Sequence, residues 1–487
     1  MRGGTSSDGR RDLHAGFALV VVMVGVLMAA VDATIVVLAL PEIKRSLHVS
    51  LGGATWVVIA YLLMITLLAT QVGRLGDMFG RVRMYEAGFL VFIVGSALCA
   101  LAVNEAMIVG FRVLQGVGGA LMTANSGAVV ADIFPPERRG RAYGFNAASW
   151  NVGAVLGILL GGVIVTYASW RWIFWINVPV GIVAFLLALR ILHDSGERRR
   201  QPLDPWGMTT LGLGVLGVLW AMTKLASTSP SPPVDAALMG GVAMLALFVV
   251  VERTRRAPML ALSIFRIPTM TPTLLASFFQ ALANFSVLLL VIMYLQGARS
   301  YSPLDASLVL VPGYVIAGAV APYSGRLADV VGPIWPATVG LGVQIVAFLL
   351  YANLGMTTPI WVVAVAAVIN GVGSEGFFPA NQAVVMKSAP PTQFGVASGM
   401  LRTFSNVGMV FSFSVAILVA GRTIPRRVAL KIFLGTAHLS TRLAGSFAGG
   451  LRTAFYVSIA FMALAGVLSA TRVIRLRRLS AKPEPCS

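Results

Sequence analysis

Long apolar runs separated by short polar stretches fill the chain from residue 16 to residue 474. The runs last 19–28 residues and fall at 16–40, 51–72, 84–103, 106–131, 142–167, 171–193, 206–226, 234–252, 271–297, 304–325, 334–354, 358–385, 394–420 and 452–474. A helix needs about 20 mostly apolar residues to cross the hydrocarbon of a bilayer, so each run predicts one spanning helix. Lipid admits only helices or closed barrels. Continuous runs of this length exclude the roughly ten-residue alternating strands of a barrel. The expected fold class is an all-α membrane protein with fourteen transmembrane helices.

One polar stretch is written twice. GRLGDMFGR at 73–81 returns as GRLADVVGP at 325–333, identical at five of the first eight positions and 252 residues further on. The first copy joins spans 2 and 3, the second spans 10 and 11. With spans 7 and 8 set aside, the chain divides into two six-span halves. This predicts an N-terminal bundle over 1–200, two additional spans over 201–257, and a C-terminal bundle over 258–487 that carries an outer loop at 421–451. Internal repeats of this kind are the architecture of secondary transporters. In the first copy Gly73, Gly76 and Gly80 permit a tight turn and close helix approach. Asp77 can cap a following helix or face a helix N-terminus. Arg74, Arg81 and Arg83 hold the loop on the cytoplasmic side. The second copy keeps Arg326 and Asp329 but has Pro333 in the place of Arg81. The pair of loops predicts a gate.

Composition agrees with the run lengths: 57% of the 487 residues are hydrophobic and 11% are charged, where a soluble domain has about a quarter charged. A net charge of +19 raises the question of nucleic acid. The basic residues, however, sit in the short loops, and no separate basic domain or nucleic-acid signature accompanies them. With the N-terminus inside, cytoplasmic segments carry 24 Lys and Arg and outer loops 11. That bias predicts a multi-pass protein of a bacterial cell membrane with both termini cytoplasmic. The segment 421–451 is the exception, with Arg422, Arg426, Arg427, Lys431 and Arg442 on the outer side. As a helix it places Arg427, Lys431, His438 and Arg442 on one face and Val428, Ile432, Leu439 and Leu443 on a neighbouring one, which predicts an amphipathic interfacial helix. Cys99 and Cys486 give no disulfide framework or metal site. The run at 16–40 is too long for a signal-peptide core and is the first span.

Ionisable residues inside spans are expensive and are functional candidates by default. Asp32 lies about 12 Å from the outer end of span 1, and Arg112 about 9 Å into span 4 from the same side. At matching depths the two can pair or share a cavity. Gln115 falls on the face of Arg112. Glu375 and Arg402 both come out about 12–15 Å from the inner surface in the second half. Desolvation favours the protonated form of a carboxylate in such a place, and a neighbouring arginine favours the ionised form. Proton coupling is therefore assigned to Asp32 with Arg112, and in second place to Glu375 with Arg402. Polar and aromatic positions that fit a substrate cavity are Gln115, Trp150, Gln280 with Asn284 one turn on, and Asn370, Phe377 and Asn381 on one face of span 12. Aromatic and methionine side chains suit broad specificity. No Walker motif is present, so the expected energy source is a proton gradient, with no cofactor and no metal. GVGSEG at 371–376 has the spacing of a dinucleotide loop but lies in an apolar run without the strand that such a loop needs. No nucleophile–base or metal constellation marks an enzyme.

Taken together these motifs resemble the major facilitator superfamily, in particular its fourteen-span branch of drug–proton antiporters. GRLGDMFGRVR matches the superfamily's loop motif. VDATIVVLALP looks like the branch's span-1 motif, with Asp32 on its acidic position. FRVLQGVGGA is similar to the span-4 motif, with Arg112 on the arginine implicated in proton transfer. WRWIFWINVPVG at 170–181 is similar to the span 5–6 junction. Gly153, Gly157, Gly161 and Gly162 match the spaced glycines of the antiporter motif on span 5, which suit close helix packing. Ile158 stands where that motif has proline, removing a kink determinant. The resemblance covers nearly the whole chain. It implies the major facilitator fold and a monomer acting on protons and a small-molecule substrate in the bilayer. It further implies proton-coupled export of lipophilic compounds or drugs by alternating access. The alternatives are export of one endogenous metabolite, lipid or siderophore, and, in another class, a non-transporting membrane sensor or scaffold.

Overall fold

The computed structural model describes residues 5–49, 51–194, 203–227, 231–255, 258, 262–389, 394–423 and 441–480. Its regular elements are all helical; no strand occurs among the described residues. Among these, twelve helices are long and apolar enough to cross a membrane, or thirteen when the two parts of a bent second helix count as one span. The chain divides into two compact units, Met1–Asp204 and Pro205–Ser487.

The first unit holds α1 (Thr5–Leu47), α2 (Leu51–Phe79), α3 (Arg81–Leu101), α4 (Glu105–Ile133), α5 (Pro136–Tyr167), the short α6 (Trp172–Trp175) and α7 (Asn177–Ile191). α1 packs along α5, α4 lies against α2 and α3, and α7 touches α3 and α1. Asn104 caps α4 by accepting a bond from the Met107 amide at 2.9 Å. The second unit holds α8 (Pro205–Ser227), α9 (Pro232–Thr254), α10 (Met270–Ile292), α11 (Pro303–Val330), α12 (Ile334–Ala352), α13 (Ile360–Ser388), α14 (Phe394–Thr423) and α15 (Thr441–Ser480). Here α10 packs along α14, α13 lies against α11 and α12, and α15 touches α12 and α10. The pattern of the first unit is thus repeated helix for helix. The second unit adds α8 and α9, which pack on each other, with α8 against α14.

Four boundaries differ from the sequence-based expectation. The duplicated stretch read as a loop is helical up to Phe79, and only Gly80 breaks it before α3 begins at Arg81. Gly73 and Gly76 are tolerated because a glycine costs a helix about 1 kcal/mol, less than exposing unpaired backbone groups near lipid. The sixth run is two helices, α6 and α7, separated at Ile176. Residues 441–451, placed in the outer loop, belong to α15. α14 likewise extends to Thr423. Arg426, Arg427, Lys431 and His438 lie outside the described residues.

The predicted packing glycines Gly153, Gly157 and Gly161 face α1. A Cβ on Gly153 would come within 2.7 Å of the Leu27 carbonyl oxygen, and one on Gly157 within 2.6 Å of that of Val31. Gly162 and Ile158 are buried on the same helix. GVGSEG also turns out to be a packing surface: Gly373 of α13 packs against α12, where a Cβ would meet the Gly340 carbonyl oxygen at 2.7 Å.

Candidate functional site

Asp32 on α1 and Arg112 and Gln115 on α4 are all fully buried. Nη1 of Arg112 donates to Oδ2 of Asp32 and to Oε1 of Gln115 at 2.7 Å. Its Nε donates to the Val57 carbonyl at 2.8 Å. The guanidinium carbon lies 4.2 Å from the centre of the Tyr61 ring, a cation–π contact. Nη2 of Arg112 is buried and has no hydrogen-bond partner. On the carboxylate, Oδ1 accepts from Nε2 of Gln115 at 2.8 Å and from Nδ2 of Asn177 at 3.4 Å. Both amides also donate to Oγ of Ser96, at 3.2 and 3.1 Å, and Ser96 donates to the Phe174 carbonyl at 2.9 Å. The site therefore gathers side chains from α1, α2, α3, α4 and α7. Sequence reasoning matched Asp32 with Arg112 by depth but missed Ser96, Asn177 and Tyr61. Asn177 left one signal, a lone amide inside an apolar run. Gln115, assigned to a substrate cavity, is bound to Asp32.

A second constellation surrounds the α2–α3 break. Gly80 has φ +110°, a conformation closed to most residues. Arg81 spans the break: its Nε donates to Asp77 at 2.9 Å, and its Nη1 to Asp132 at the end of α4 at 2.7 Å. The carboxylate at the α3 N-terminus is that of Asp194, which follows α7. Its Oδ1 accepts from the Val82 amide at 2.8 Å, and a Cβ on Gly80 would run into its carboxyl group. An anion here meets free amides and the positive end of the helix dipole. Gly76 faces the Asn125 side chain of α4, while Gly73 and Arg74 are half-buried. In the second copy Gly332 also has positive φ, +83°. Asp329 lies on α11, with its side chain outside the described part. Asp132 and Asp194 escaped the sequence reading because nothing local ties them to residues 51 and 112 positions away.

The second unit distributes its predicted residues among several places. Glu375 is buried on α13, and Arg402 is exposed on α14. Gln280 donates to Oε1 of Gln344 at 3.1 Å, and Asn370 to Oδ1 of Asn284 at 3.0 Å. Phe377 is fully buried. Asn381 donates to Ser277 at 2.7 Å and accepts from Nη1 of Arg472 at 2.6 Å. Arg472, two residues before the predicted end of the last span, counted as a cytoplasmic charge in the sequence. Instead it is fully buried. It also donates to Thr273 at 3.3 Å, to the Ser469 carbonyl at 3.0 Å and to the Ser469 hydroxyl. Trp150, in the first unit, is half-buried on α5.

A helical membrane chain built on a repeated six-helix pattern, with an ion pair sealed inside one repeat, has the architecture of a secondary transporter. The comparisons with known proteins narrow that class. The family description Major Facilitator Superfamily matches residues 22–413 and again 273–485. The tetracenomycin C resistance and export protein of Streptomyces glaucescens is 30% identical over 412 residues, covering 83% of this chain and 76% of that protein. The methylenomycin A resistance protein of Bacillus subtilis is 30% identical over 401 residues, covering 82% and 86%. Among solved structures, the inward-facing, unoccupied form of a bacterial homologue of the human lysosomal transporter Spinster aligns with a TM-score of 0.69. The alignment covers 97% of this chain and 99% of that one at 17% identity, a likeness of fold. The chain belongs to the major facilitator superfamily, and is a multi-pass membrane transporter rather than an enzyme.

Proposed function

We propose that this transporter exports lipophilic small molecules in exchange for protons, with Asp32 as the proton carrier. The observation that carries the proposal is the fully buried Asp32 carboxylate, held by one guanidinium and two amides. Hydrogen bonds to an ionised group are roughly twice as strong as neutral ones. A proton on Asp32 removes that charge and loosens the ties of α1 to α4 and α7. Arg112 then keeps Val57, Gln115 and the Tyr61 ring. Movement of helices within the unit is in this way made to depend on one proton. The Asp77–Arg81–Asp132 link across the Gly80 break acts as the cytoplasmic gate, and Asp329 belongs to its counterpart. Glu375 is the second proton candidate. The names of the antibiotic resistance relatives support export of small organic molecules.

The test uses proteoliposomes with a pH-sensitive dye inside, an imposed pH gradient, and a panel of lipophilic cations, neutral drugs and metabolites. Substrate-triggered proton movement is expected in the wild type and is abolished in Asp32→Asn purified to the same monodispersity. Normal proton movement in that variant would remove Asp32 from the mechanism. Response to a single compound class would point to one endogenous substrate.

A further inference from the structure

Four amide side chains meet in the second unit. Gln280 and Asn284 stand one turn apart on α10, close enough to share a face. Gln344 reaches the first of them from α12 and Asn370 the second from α13. Gln344 also packs on α13, where a Cβ on Gly373 would come within 2.8 Å of its Cγ, and Asn370 is one turn away on that helix. The two pairs are therefore neighbours. Among the described residues, none of the four bonds to a charged side chain.

The hydrogen-bond inventory of the glutamine pair does not close. Two primary amides bring two amino groups and two carbonyls, and the one bond between them uses one of each. The remainder, Oε1 of Gln280 and Nε2 of Gln344, is buried without a partner, as is Oδ1 of Asn370. Turning both glutamine amides over exchanges their roles and again leaves one donor and one acceptor. The leftover pattern thus belongs to the side-chain pair and not to the amide assignment. Two leucines would fill the same space without orphaned groups, which are costly in a dry interior. Asn284 and Asn370 are partly exposed while Gln280 and Gln344 are fully buried, so the asparagine end is the open one.

We propose that this amide ladder is a binding subsite for an uncharged group that carries an acceptor beside a donor, such as a carboxamide or a hydroxyketone. The ligand's acceptor takes the free N–H of Gln344, and its donor gives to the free carbonyl of Gln280, with Asn370 Oδ1 as a second acceptor. The role in transport rests on the exporter proposal above; the binding does not. A site built of buried polar groups rejects analogues that cannot pair with them far more strongly than an apolar pocket does. The ladder would therefore select among lipophilic compounds by hydrogen bonding and not by charge.

The test is equilibrium dialysis on the purified full chain with two probes. One is chloramphenicol, uncharged with an amide and hydroxyls. The other is tetraphenylphosphonium, a lipophilic cation with neither donor nor acceptor. In the double variant Gln280→Leu/Gln344→Leu the Kd for chloramphenicol should rise roughly tenfold, the worth of about one good buried hydrogen bond. The Kd for tetraphenylphosphonium should stay within about twofold, and the melting temperature should hold, since both partners of an incomplete pair are removed together. If the double variant does not fold, Gln344→Met keeps the volume, removes the free donor, and should shift the chloramphenicol Kd alone. Three results would overturn the proposal: no chloramphenicol binding to the wild type, unchanged binding in the variant (the ladder then holds ordered water only), or equal weakening of both probes. If Asp32→Asn leaves proton movement intact while this Kd pattern appears, the proton-exchange reading fails and the subsite stands.

Discussion

Asp32 and Arg112 neutralise one another where neither has contact with water. Removing one partner of a buried ion pair leaves the other uncompensated, at a cost of roughly 3–5 kcal/mol. Arg112→Leu is therefore expected to lower thermal stability by about that amount. The double variant Asp32→Asn/Arg112→Leu should be more stable than the arginine variant alone, because no isolated charge remains. Melting curves of the four proteins in one detergent give the coupling energy, and additive losses would mean that the two charges do not hold one another. Depth in the sequence was enough to match these two residues. Ser96 was not legible and the lone amide of Asn177 gave no role, since a single serine or asparagine in an apolar run looks the same whether it packs against a neighbour or holds a carboxylate. Arg472 illustrates the opposite error. An arginine near the end of a span ordinarily extends its charge to the interface, but here it folds back onto Ser469 and Asn381. Only the polar lining on α10 and α13 explains that choice.

The α2–α3 turn shows how an element boundary is made by one residue. Gly80 and Gly332 occupy the same place in the two copies of the repeat, and both have positive φ. They differ in surroundings: a side chain on Gly80 would strike Asp194, whereas nothing lies within 4 Å of a Cβ on Gly332. Gly332→Ala should thus cost only the backbone strain, about 1–2 kcal/mol. Gly80→Ala should cost more, because Asp194 must also leave the Val82 amide. Unfolding of the two variants side by side checks the order; equal costs would mean that Asp194 is readily displaced. The ion pairs of Arg81 are part-exposed and contribute little to stability. Arg81→Gln is expected to alter transport rate in the proteoliposome assay while leaving the melting temperature within about 2 °C.

Each unit repeats one helix-packing pattern, and the Asp32 cluster and the Arg472 cluster use corresponding helices of it. α1, α3, α4 and α7 serve the first, which α2 joins through Val57 and Tyr61; α10, α12, α13 and α15 serve the second, with Thr338 of α12 bonded to Ser469 at 2.7 Å. The charge content differs: the first cluster holds an acid and a base, while among the described residues the second arginine bonds only neutral acceptors. The bias of basic residues toward alternate loops predicts that both termini are cytoplasmic. Two native cysteines test that placement. A membrane-impermeant maleimide applied to right-side-out vesicles should leave Cys486 unlabelled until the membrane is permeabilised. Cys99, fully buried, should stay unlabelled throughout. Labelling of Cys486 in intact vesicles would reverse the orientation.

Run length and composition were sufficient for the helical membrane class, and the resemblance of the loop, span-1, span-4 and span 5–6 motifs for the transporter family. The first follows from the cost of placing backbone and charge in hydrocarbon, which is set by residue type alone and read locally; the second rests on short motifs that are likewise read locally. The partners of each buried polar group depend instead on which helix faces meet, and those contacts join residues 80 or 145 positions apart for Asp32 and 91 apart for Arg472. Composition along one helix carries no record of the neighbour opposite. Packing therefore decided that Gln115 serves Asp32, that Asp194 and not Asp77 meets the start of α3, and that Gln344 completes the amide ladder.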